Sequence, residues 1–267
     1  MSVKVLVVTK GHGFNYNGFY SMFDDNPELL TTQVEQPAAQ VLLRPENVAE
    51  YDAVCFYDMW GVDFSPAPEE YQQSIAALLE SGKGLMLMNH ALVEWPAWPG
   101  WRDVSGTSFL LTEGEVFGEL TPGSGYRGGG ADPRGNGRGK VTPDPAAAGH
   151  PVLEGLDDGF VVQDELYLTS KIFESQPDIL PLMRTDYPMV QENFNPPPMA
   201  PPEEKERWSH PEGSDLVVWA KKSGNSPVVA THLGDGPGSY ESEGFRRLLH
   251  NTLHWVASEE ARAWAAS

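Results

Sequence analysis

The chain has 267 residues and carries 38 acidic against 18 basic side chains, which gives a formal net charge of −20 at pH 7. This charge argues against binding through the nucleic-acid backbone and against docking on an anionic membrane, because both need clustered Lys and Arg. Hydrophobic residues make up 40% of the chain, enough to bury a core, so wholesale disorder is excluded.

The single cysteine, Cys55, excludes a disulfide framework and a four-cysteine zinc site. Cys55 lies inside a predicted strand without an activating neighbour, which indicates a core residue. The N-terminal apolar run is too short for a signal peptide, and no stretch reaches the ~18 apolar residues of a membrane span. We therefore expect a soluble, cytoplasmic, acidic globular protein.

The first half of the chain alternates short β-branched runs with amphipathic segments. The pattern predicts strands over 3–8, 31–35, 53–58 and 85–88, and helices over 18–30 and 66–80. Such alternation is typical of a parallel sheet with helices on both faces. The predicted fold class is therefore α/β, a three-layer sandwich with a mostly parallel central sheet.

The second half of the chain is less regular. Residues 112–147 are rich in Gly and Pro and predict a long inserted loop, and 193–204 predicts a stiff, proline-rich surface segment. Further predicted elements are strands over 160–168 and 179–184, a hairpin over 216–231, and a final amphipathic helix over 245–256. No internal repeat or domain-sized linker is visible, so residues 1–267 are predicted to form a single domain.

Polar side chains stand at the ends of four predicted strands, where ligands bind in open α/β sheets. Loops are exposed to solvent and carry polar residues in any protein. Only the convergence of these side chains on one crevice therefore points to function. The residues expected to converge are His12, Asp58, Trp60, Asn89, His90, His232 and Asp235.

A second candidate lies in the predicted strand over 160–168. Neighbouring strand residues point to opposite faces, so only one of Asp164 and Glu165 can face the crevice. Glu165 shares its face with Tyr167, which makes it the better general acid/base or metal ligand. The residues alone fit an exposed strand carboxylate equally well.

The segment from Gly123 to Lys140 is locally cationic. Gly123–Gly128 has the G-x-G-x-x-G spelling, but it does not join a strand to a helix, so we reject a dinucleotide site. The segment is either a lid over an anionic or polar substrate or an ordinary surface loop. Its charged residues are Arg127, Arg134, Arg138 and Lys140, against one acid, Asp132.

The chain resembles the ThuA-like (trehalose-utilisation) family. The resemblance implies a flavodoxin-like fold of the class I glutamine amidotransferase type, in which a catalytic Cys follows the fourth strand. Here that turn reads Met88-Asn89-His90-Ala91, so glutamine hydrolysis through a thioester is not available. The segments that carry the resemblance are 5–12, 51–61, 88–91, 150–156, 164–167, 234–237 and 245–257.

The resemblance also implies a role in the catabolism of trehalose and related disaccharides through 3-keto-sugars, and a divalent metal, zinc or manganese, in some members. His90 and Glu165 match polar positions of the family, whereas Asp235 stands where many members have His. The candidate metal ligands are His12, His90, Glu165 and His232.

Two classes of function fit these residues. The first is an enzyme, an isomerase, lyase or hydrolase, in which Glu165 removes the acidic C–H beside a sugar carbonyl while His90 or a metal polarises the oxygen. The second is a non-catalytic carbohydrate-binding or regulatory protein that uses the same crevice. The expected catalytic residues are His90, Glu165 and Asp235, and the expected sugar contacts are His12, Asp58, Trp60, Asn89, Tyr126 and Tyr167.

The expected partner is a small-molecule sugar, with neither nucleic acid nor membrane. In the non-catalytic class of function, Trp60, Tyr126 and Tyr167 would stack on the sugar. A broad apolar surface that serves homo-oligomerisation is a third possibility.

Overall fold

The computed structural model describes residues 2–128 and 133–267. The strands are β1 (Val3–Lys10), β2 (Leu29–Glu35), β3 (Ala53–Asp58), β4 (Gly84–Met88), β5 (Gly114–Val116), β6 (Glu119–Thr121), β7 (Gly125–Arg127), β8 (Gly137–Pro143), β9 (Phe160–Asp164), β10 (Leu166–Leu168), β11 (Ile179–Thr185), β12 (Leu216–Ser223) and β13 (Ser226–Thr231). The helices are α1 (Tyr16–Asp24), α2 (Ala39–Leu42), α3 (Pro45–Val48), α4 (Glu69–Glu80), α5 (Pro99–Ser105), α6 (Pro202–Arg207), α7 (Pro237–Tyr240), α8 (Glu243–Val256) and α9 (Glu259–Ala265).

Within the described ranges, nine strands form one central sheet in the order β2-β1-β3-β4-β13-β12-β11-β8-β9. The pairings from β2 to β13 are parallel, as the strand–helix alternation predicts. The remaining pairings, from β13 to β9, are antiparallel. Strands β12 and β13 form the predicted hairpin, and β11, β8 and β9, which come earlier in the chain, extend the sheet beyond it. The parallel half positions the candidate site at its carboxyl edge.

Each central strand is buried on both faces, which explains its continuous apolar composition. Val5 and Tyr57 point into one core with α1, α8 and α9, whereas Leu6 and Phe56 point into a second core with α2 to α5. Cys55 is fully buried in the first core, as expected. Two cores separated by one sheet make the three-layer α/β arrangement that the sequence predicts.

Two predicted helices are longer than the observed ones. The helix predicted over 18–30 ends at Asp24, because Pro27 cannot continue it and Leu29 already begins β2. Its start is capped by Asn15, whose side-chain oxygen accepts from the backbone N–H of Gly18 at 3.0 Å. The helix predicted over 66–80 begins at Glu69, after Pro68.

The segment 112–147 is not the loop that its composition predicts, because it contains β5 to β8. Strand β8 pairs with β11 and β9 in the central sheet. It alternates buried Gly137, Gly139 and Val141 with exposed Arg138 and Lys140. Two of the three inward positions are glycines, so the period-2 pattern has little hydrophobic signal.

The predicted cationic lid divides between strands. Arg127 lies in β7, and Arg138 and Lys140 lie in β8. Arg134 donates to the Glu192 carbonyl oxygen at 3.2 Å and to the Asn195 side-chain oxygen at 3.1 Å. Asp132, the acid of this segment, lies outside the described residues.

The predicted strand over 160–168 divides at Glu165. Strand β9 ends at Asp164 in the central sheet, and β10 pairs instead with β7 in a separate two-stranded sheet. The proline-rich segment is not entirely on the surface, because Phe194, Pro197 and Ala200 are buried. Among the described residues, no helix combines the length and the apolar character needed to cross a bilayer.

Candidate functional site

Three of the predicted residues meet beyond the carboxyl ends of β4, β9 and β13. The Nε2 atom of His90 lies 3.6 Å from Oε2 of Glu165 and 3.5 Å from Oδ1 of Asp235. One ligand atom from each of the three residues lies within 4.8 Å of the other two. Side chains from three separated parts of the sequence therefore form one acidic cluster around an imidazole.

His90 is placed by a sharp turn at the end of β4. Asn89 follows the strand with a φ of +38°, a conformation that few non-glycine residues adopt, and a 3₁₀ turn over Asn89–Leu92 comes next. The Asn89 side-chain nitrogen donates to the His232 carbonyl oxygen at 2.8 Å, which joins the ends of β4 and β13. Asn89 thus fixes the end of β4, which carries His90, to the end of β13.

The ring of His12 packs against one face of the His90 ring. The two imidazoles stack with centroids 3.7 Å apart and an interplanar angle of 23°. Nε2 of His12 donates to the Tyr57 carbonyl oxygen at 2.8 Å. Burial lowers the pKa of His12, and burial followed by the nearby His12 lowers the pKa of His90 well below the usual value. Both rings are therefore neutral at pH 7.

The turn that carries His12 requires a glycine. Gly11 has a φ of +94°, and a Cβ at this position would lie 2.0 Å from the carbonyl oxygen of Met59. Only a residue without a side chain lets the connection after β1 pass this close to the connection after β3.

Glu165 lies at the break between β9 and β10 with its carboxylate buried. Oε2 accepts a hydrogen bond from the Tyr167 hydroxyl at 3.0 Å, so the predicted pairing of these two side chains is observed. Burial, and then the charge of Asp235, raise the pKa of Glu165 to about 8, although the Tyr167 bond lowers it. Burial also raises the pKa of Asp235.

Asp164 holds the loop that carries Asp235. One oxygen of its buried carboxylate accepts from the backbone N–H of Gly234 at 2.7 Å and from the Ser239 hydroxyl, and the other accepts from the Asp235 N–H at 3.2 Å. Burial raises the pKa of Asp164 to about 7 against the lowering effect of the Ser239 and Gly234 bonds. The alternation of strand residues predicted that only Glu165 of the two carboxylates faces the crevice. It did not predict that Asp164 holds the loop that carries Asp235.

The donor set fits a divalent ion. Two ligands bound at about 2.1 Å in tetrahedral geometry lie about 3.4 Å apart, which is close to both measured His90 distances. A neutral imidazole with two carboxylates is a common ligand set for zinc and manganese. Nδ1 of His90, however, makes no hydrogen bond to any described residue, whereas metal-binding histidines usually have such a partner.

Two of the expected metal ligands stay outside this group. Nε2 of His12 is engaged by the Tyr57 carbonyl. The His232 ring is fully buried against Tyr167 and Trp219, each with its centroid 5.5 Å away, because the residue turns into the second core after β13. Asp235 is the third member of the described cluster in their place.

Asp58 and Trp60 also lie away from the cluster. Asp58 is fully buried and accepts from the Gln36 side-chain nitrogen at 2.8 Å, and burial raises its pKa to about 6. Trp60 packs against the second core, and its carbonyl oxygen accepts from the Trp95 N–H at 2.9 Å. These residues were predicted from their position after a strand end. The Asp58 side chain turns toward Gln36, in the connection after β2, and Trp60 packs against the core.

A cavity of about 330 Å³ opens beside His90 and Glu165. Tyr126 and Tyr167, which face each other in the β7–β10 pairing, contribute to its lining, as the sequence predicted for sugar contacts. The rest of its surface was not predicted, because it comes from separate connections that have no functional motif. We call six of these residues the apolar wall: Met59, Val62, Val93, Phe109, Leu111 and Met199.

The chain matches one known protein family. A model of the ThuA family, described as trehalose utilisation, matches residues 4–256. No curated protein matches the chain.

Solved structures of similar fold include two described as ThuA-like. The protein from Bacteroides uniformis superposes with a TM-score of 0.65 and 16% identity, over 96% of this chain and 92% of that chain. The one from Parabacteroides merdae gives 0.63 and 16%, over 97% and 91%. A glutamine amidotransferase from Thermotoga maritima gives 0.49 and 10%, over 97% and 100%. The two ThuA-like structures confirm the expected fold.

Proposed function

Because the chain belongs to the ThuA family, we propose that it is an enzyme that moves a proton on an oxidised sugar with His90, Glu165 and Asp235. The family's description, trehalose utilisation, supports a carbohydrate-related role. The observation that carries the proposal is the buried cluster itself, in which His90 lies within 3.6 Å of two acidic side chains beside a cavity.

The protonation of the cluster favours acid–base chemistry. The carboxyl oxygens of Glu165 and Asp235 lie within 4.8 Å of each other in a buried site. Two such groups titrate as a pair and hold one proton between them near neutral pH. Because the Glu165 side chain is the more buried of the two, we assign the shared proton to Glu165, and Asp235 keeps its charge. The site therefore contains an acid and a base that both lie within 3.6 Å of the same atom, Nε2 of a neutral imidazole.

This arrangement suits the isomerisation of a keto-sugar. Asp235 takes the proton from the carbon beside the carbonyl, and Glu165 gives its proton to the carbonyl oxygen, which produces an enediol. Asp235 then returns its proton to the former carbonyl carbon while Glu165 takes the proton of the neighbouring hydroxyl, which moves the carbonyl by one carbon and restores both groups. The role of Glu165 in the first step is thus donor rather than the base that the sequence suggested.

The same three side chains would hold a zinc or manganese ion, which when bound would polarise the sugar carbonyl. The stack of His12 on His90 and the hydrogen bond from Tyr167 to Glu165 orient two of the three groups in either case.

The test is exchange of the substrate C–H with solvent deuterium, followed by NMR on 3-keto-trehalose with the purified protein. We expect Glu165→Gln to slow exchange at least ~100-fold, the usual scale for a lost general acid or base. His90→Ala, which removes the imidazole within 3.6 Å of both carboxyl groups, should slow it as well. Glu80→Gln is the matched control, because this exposed residue ends α4 at the opposite edge of the sheet.

Unchanged exchange in both site variants would end the catalytic proposal. Tight binding of the sugar by the wild-type protein without any exchange or product would instead favour the non-catalytic carbohydrate-binding function.

A further inference from the structure

We propose that the sugar derivative handled here carries an aromatic group, and that the apolar wall binds this group. The inference rests on the proposed function, because it assigns the substrate class of the same site. It is carried by the composition of the cavity beside His90 and Glu165, where the apolar wall supplies half of the residues that form the lining.

The apolar wall is a poor surface for a second sugar ring. Its side chains are hydrocarbon or thioether, and Val93, Phe109 and Leu111 are buried. A pyranose carries hydroxyl groups around its ring, and each hydroxyl that leaves water without a hydrogen-bond partner costs free energy. The sugar ring therefore belongs at the polar end, beside His90, Glu165 and Tyr167, and whatever it is attached to lies along the apolar wall.

The aromatic side chains of the cavity favour a flat ring. Phe109 packs edge-on against Tyr167, with centroids 4.8 Å apart at an angle of 62°. A third ring can extend this arrangement through edge-to-face contacts, and the thioethers of Met59 and Met199 add sulfur–aromatic contacts. The volume of about 330 Å³ is near the lower end for ligand sites, so it favours one compact ring over a long chain.

The rim of the cavity comes from the proline-rich segment. Met199 is 49% exposed at this rim, next to Pro198, while buried Phe194, Pro197 and Ala200 anchor the segment to the protein. A solvent-exposed apolar side chain held on an anchored segment gives the entering ring an apolar surface before it is buried.

Calorimetry tests the inference with matched phenyl and methyl 3-keto-glucosides. Each of the two is used as both anomers. We expect the phenyl ligand to bind the wild-type protein about 10- to 100-fold more tightly, the scale on which a hydrophobic pocket discriminates. Affinities within twofold of each other, or no measurable binding of either ligand, would overturn the inference.

Variants of the rim assign the effect to the apolar wall. Met199→Gln changes an exposed side chain that does not belong to the acid–base cluster, and it should weaken phenyl binding several-fold while leaving methyl binding unchanged. Met199→Leu should retain phenyl binding. Equal weakening of both ligands by Met199→Gln would contradict the assignment of the ring to this wall.

The outcomes separate the two proposals. Preference for the phenyl ligand without any C–H exchange would support the aromatic subsite and contradict the catalytic function. Equal turnover of both ligands, with equal affinities, would support the catalytic function and contradict the aromatic subsite.

Discussion

The imidazole of His90 lies against that of His12 at a centroid distance of 3.7 Å, and neither ring carries a charge at neutral pH. If both stacked rings were protonated, their positive charges would repel each other. We infer that burial, together with the stacked ring of His12, keeps His90 neutral, so that proton transfer uses the two carboxyl groups.

The activity should fall as the pH rises through about 8. The first step needs a protonated Glu165, whose pKa is raised to about 8 by burial and by Asp235. We expect kcat for C–H exchange to decline on the alkaline side with a midpoint near that value, measured between pH 6 and 10. A rate that stays level to pH 10 would contradict the assignment of Glu165 as the acid.

The folded protein should lose stability over the same pH range. A carboxyl whose folded pKa lies above its unfolded value contributes stability that is present below the unfolded pKa and is lost as the pH rises through the folded pKa. For Glu165 the window runs from about 4.5 to about 8. Buried histidines with lowered pKa values oppose this trend only below about pH 6.5, so the decline should be clearest from pH 6.5 to 8.5.

Urea unfolding of the wild type and of Glu165→Gln checks this prediction, because the amide cannot ionise. We expect the variant to show a flatter dependence of the unfolding free energy on pH. An identical slope in the two proteins would mean that Glu165 is ionised in the folded state at pH 7.

Replacing Asp164 should damage the site without removing any group of the acid–base cluster. Asp164→Asn puts an amide nitrogen, which cannot accept a hydrogen bond, in place of one of two accepting oxygens, at a cost of about 1–3 kcal/mol in unfolding free energy. The loop that carries Asp235 should shift, so we expect kcat to fall more than KM rises.

Ser239→Ala is the graded control for this variant, because it removes only the hydroxyl bond to Asp164 and should cost about 1 kcal/mol. If Asp164→Asn left both the unfolding free energy and kcat unchanged, the positioning role of Asp164 would be wrong.

Metal uptake should depend on Asp235 and not on Asp58. Titration with Mn²⁺ or Zn²⁺ followed by calorimetry should show binding to the wild type, much weaker binding to Asp235→Asn, and little change in Asp58→Asn. The reason is that Asp235 lies in the His90–Glu165 group, whereas Asp58 is engaged by Gln36. Equal uptake by the wild type and Asp235→Asn would exclude this group as the ligand set.

Two glycines in the connection after β1 make a matched pair. Gly11→Ala would force a Cβ to within 2.0 Å of the Met59 carbonyl oxygen, so we expect it to cost more than about 2 kcal/mol in unfolding free energy. Gly13→Ala meets nothing within 4 Å and should stay within about 0.5 kcal/mol of the wild type. Comparable losses in both would contradict the close crossing.

Much of the parallel half of the sheet could be predicted from the sequence, because its strands are buried on both faces and read as continuous apolar runs. The order of polar strand ends also predicted the meeting of His90, Glu165 and Asp235. Strand β8 could not be predicted, since Gly137 and Gly139 occupy inward positions that would normally carry the hydrophobic signal.

The errors at the site have a common physical cause. A strand end places a residue near the crevice, but the side chain can turn toward another connection, as Asp58 does toward Gln36, or into the core, as His232 does. The apolar wall carried no signal at all, because its members lie in separate connections and come together only in the folded chain.

The apolar wall also separates the choice of ligand from the acid–base groups of the proposed site. Its residues come from connections, whereas His90, Glu165 and Asp235 are set by the ends and the kink of strands. Exchange of a connecting segment would therefore change the lining of the cavity while His90, Glu165 and Asp235 keep their places. The surface proposed to select the ligand and the groups proposed to move its proton can thus change separately.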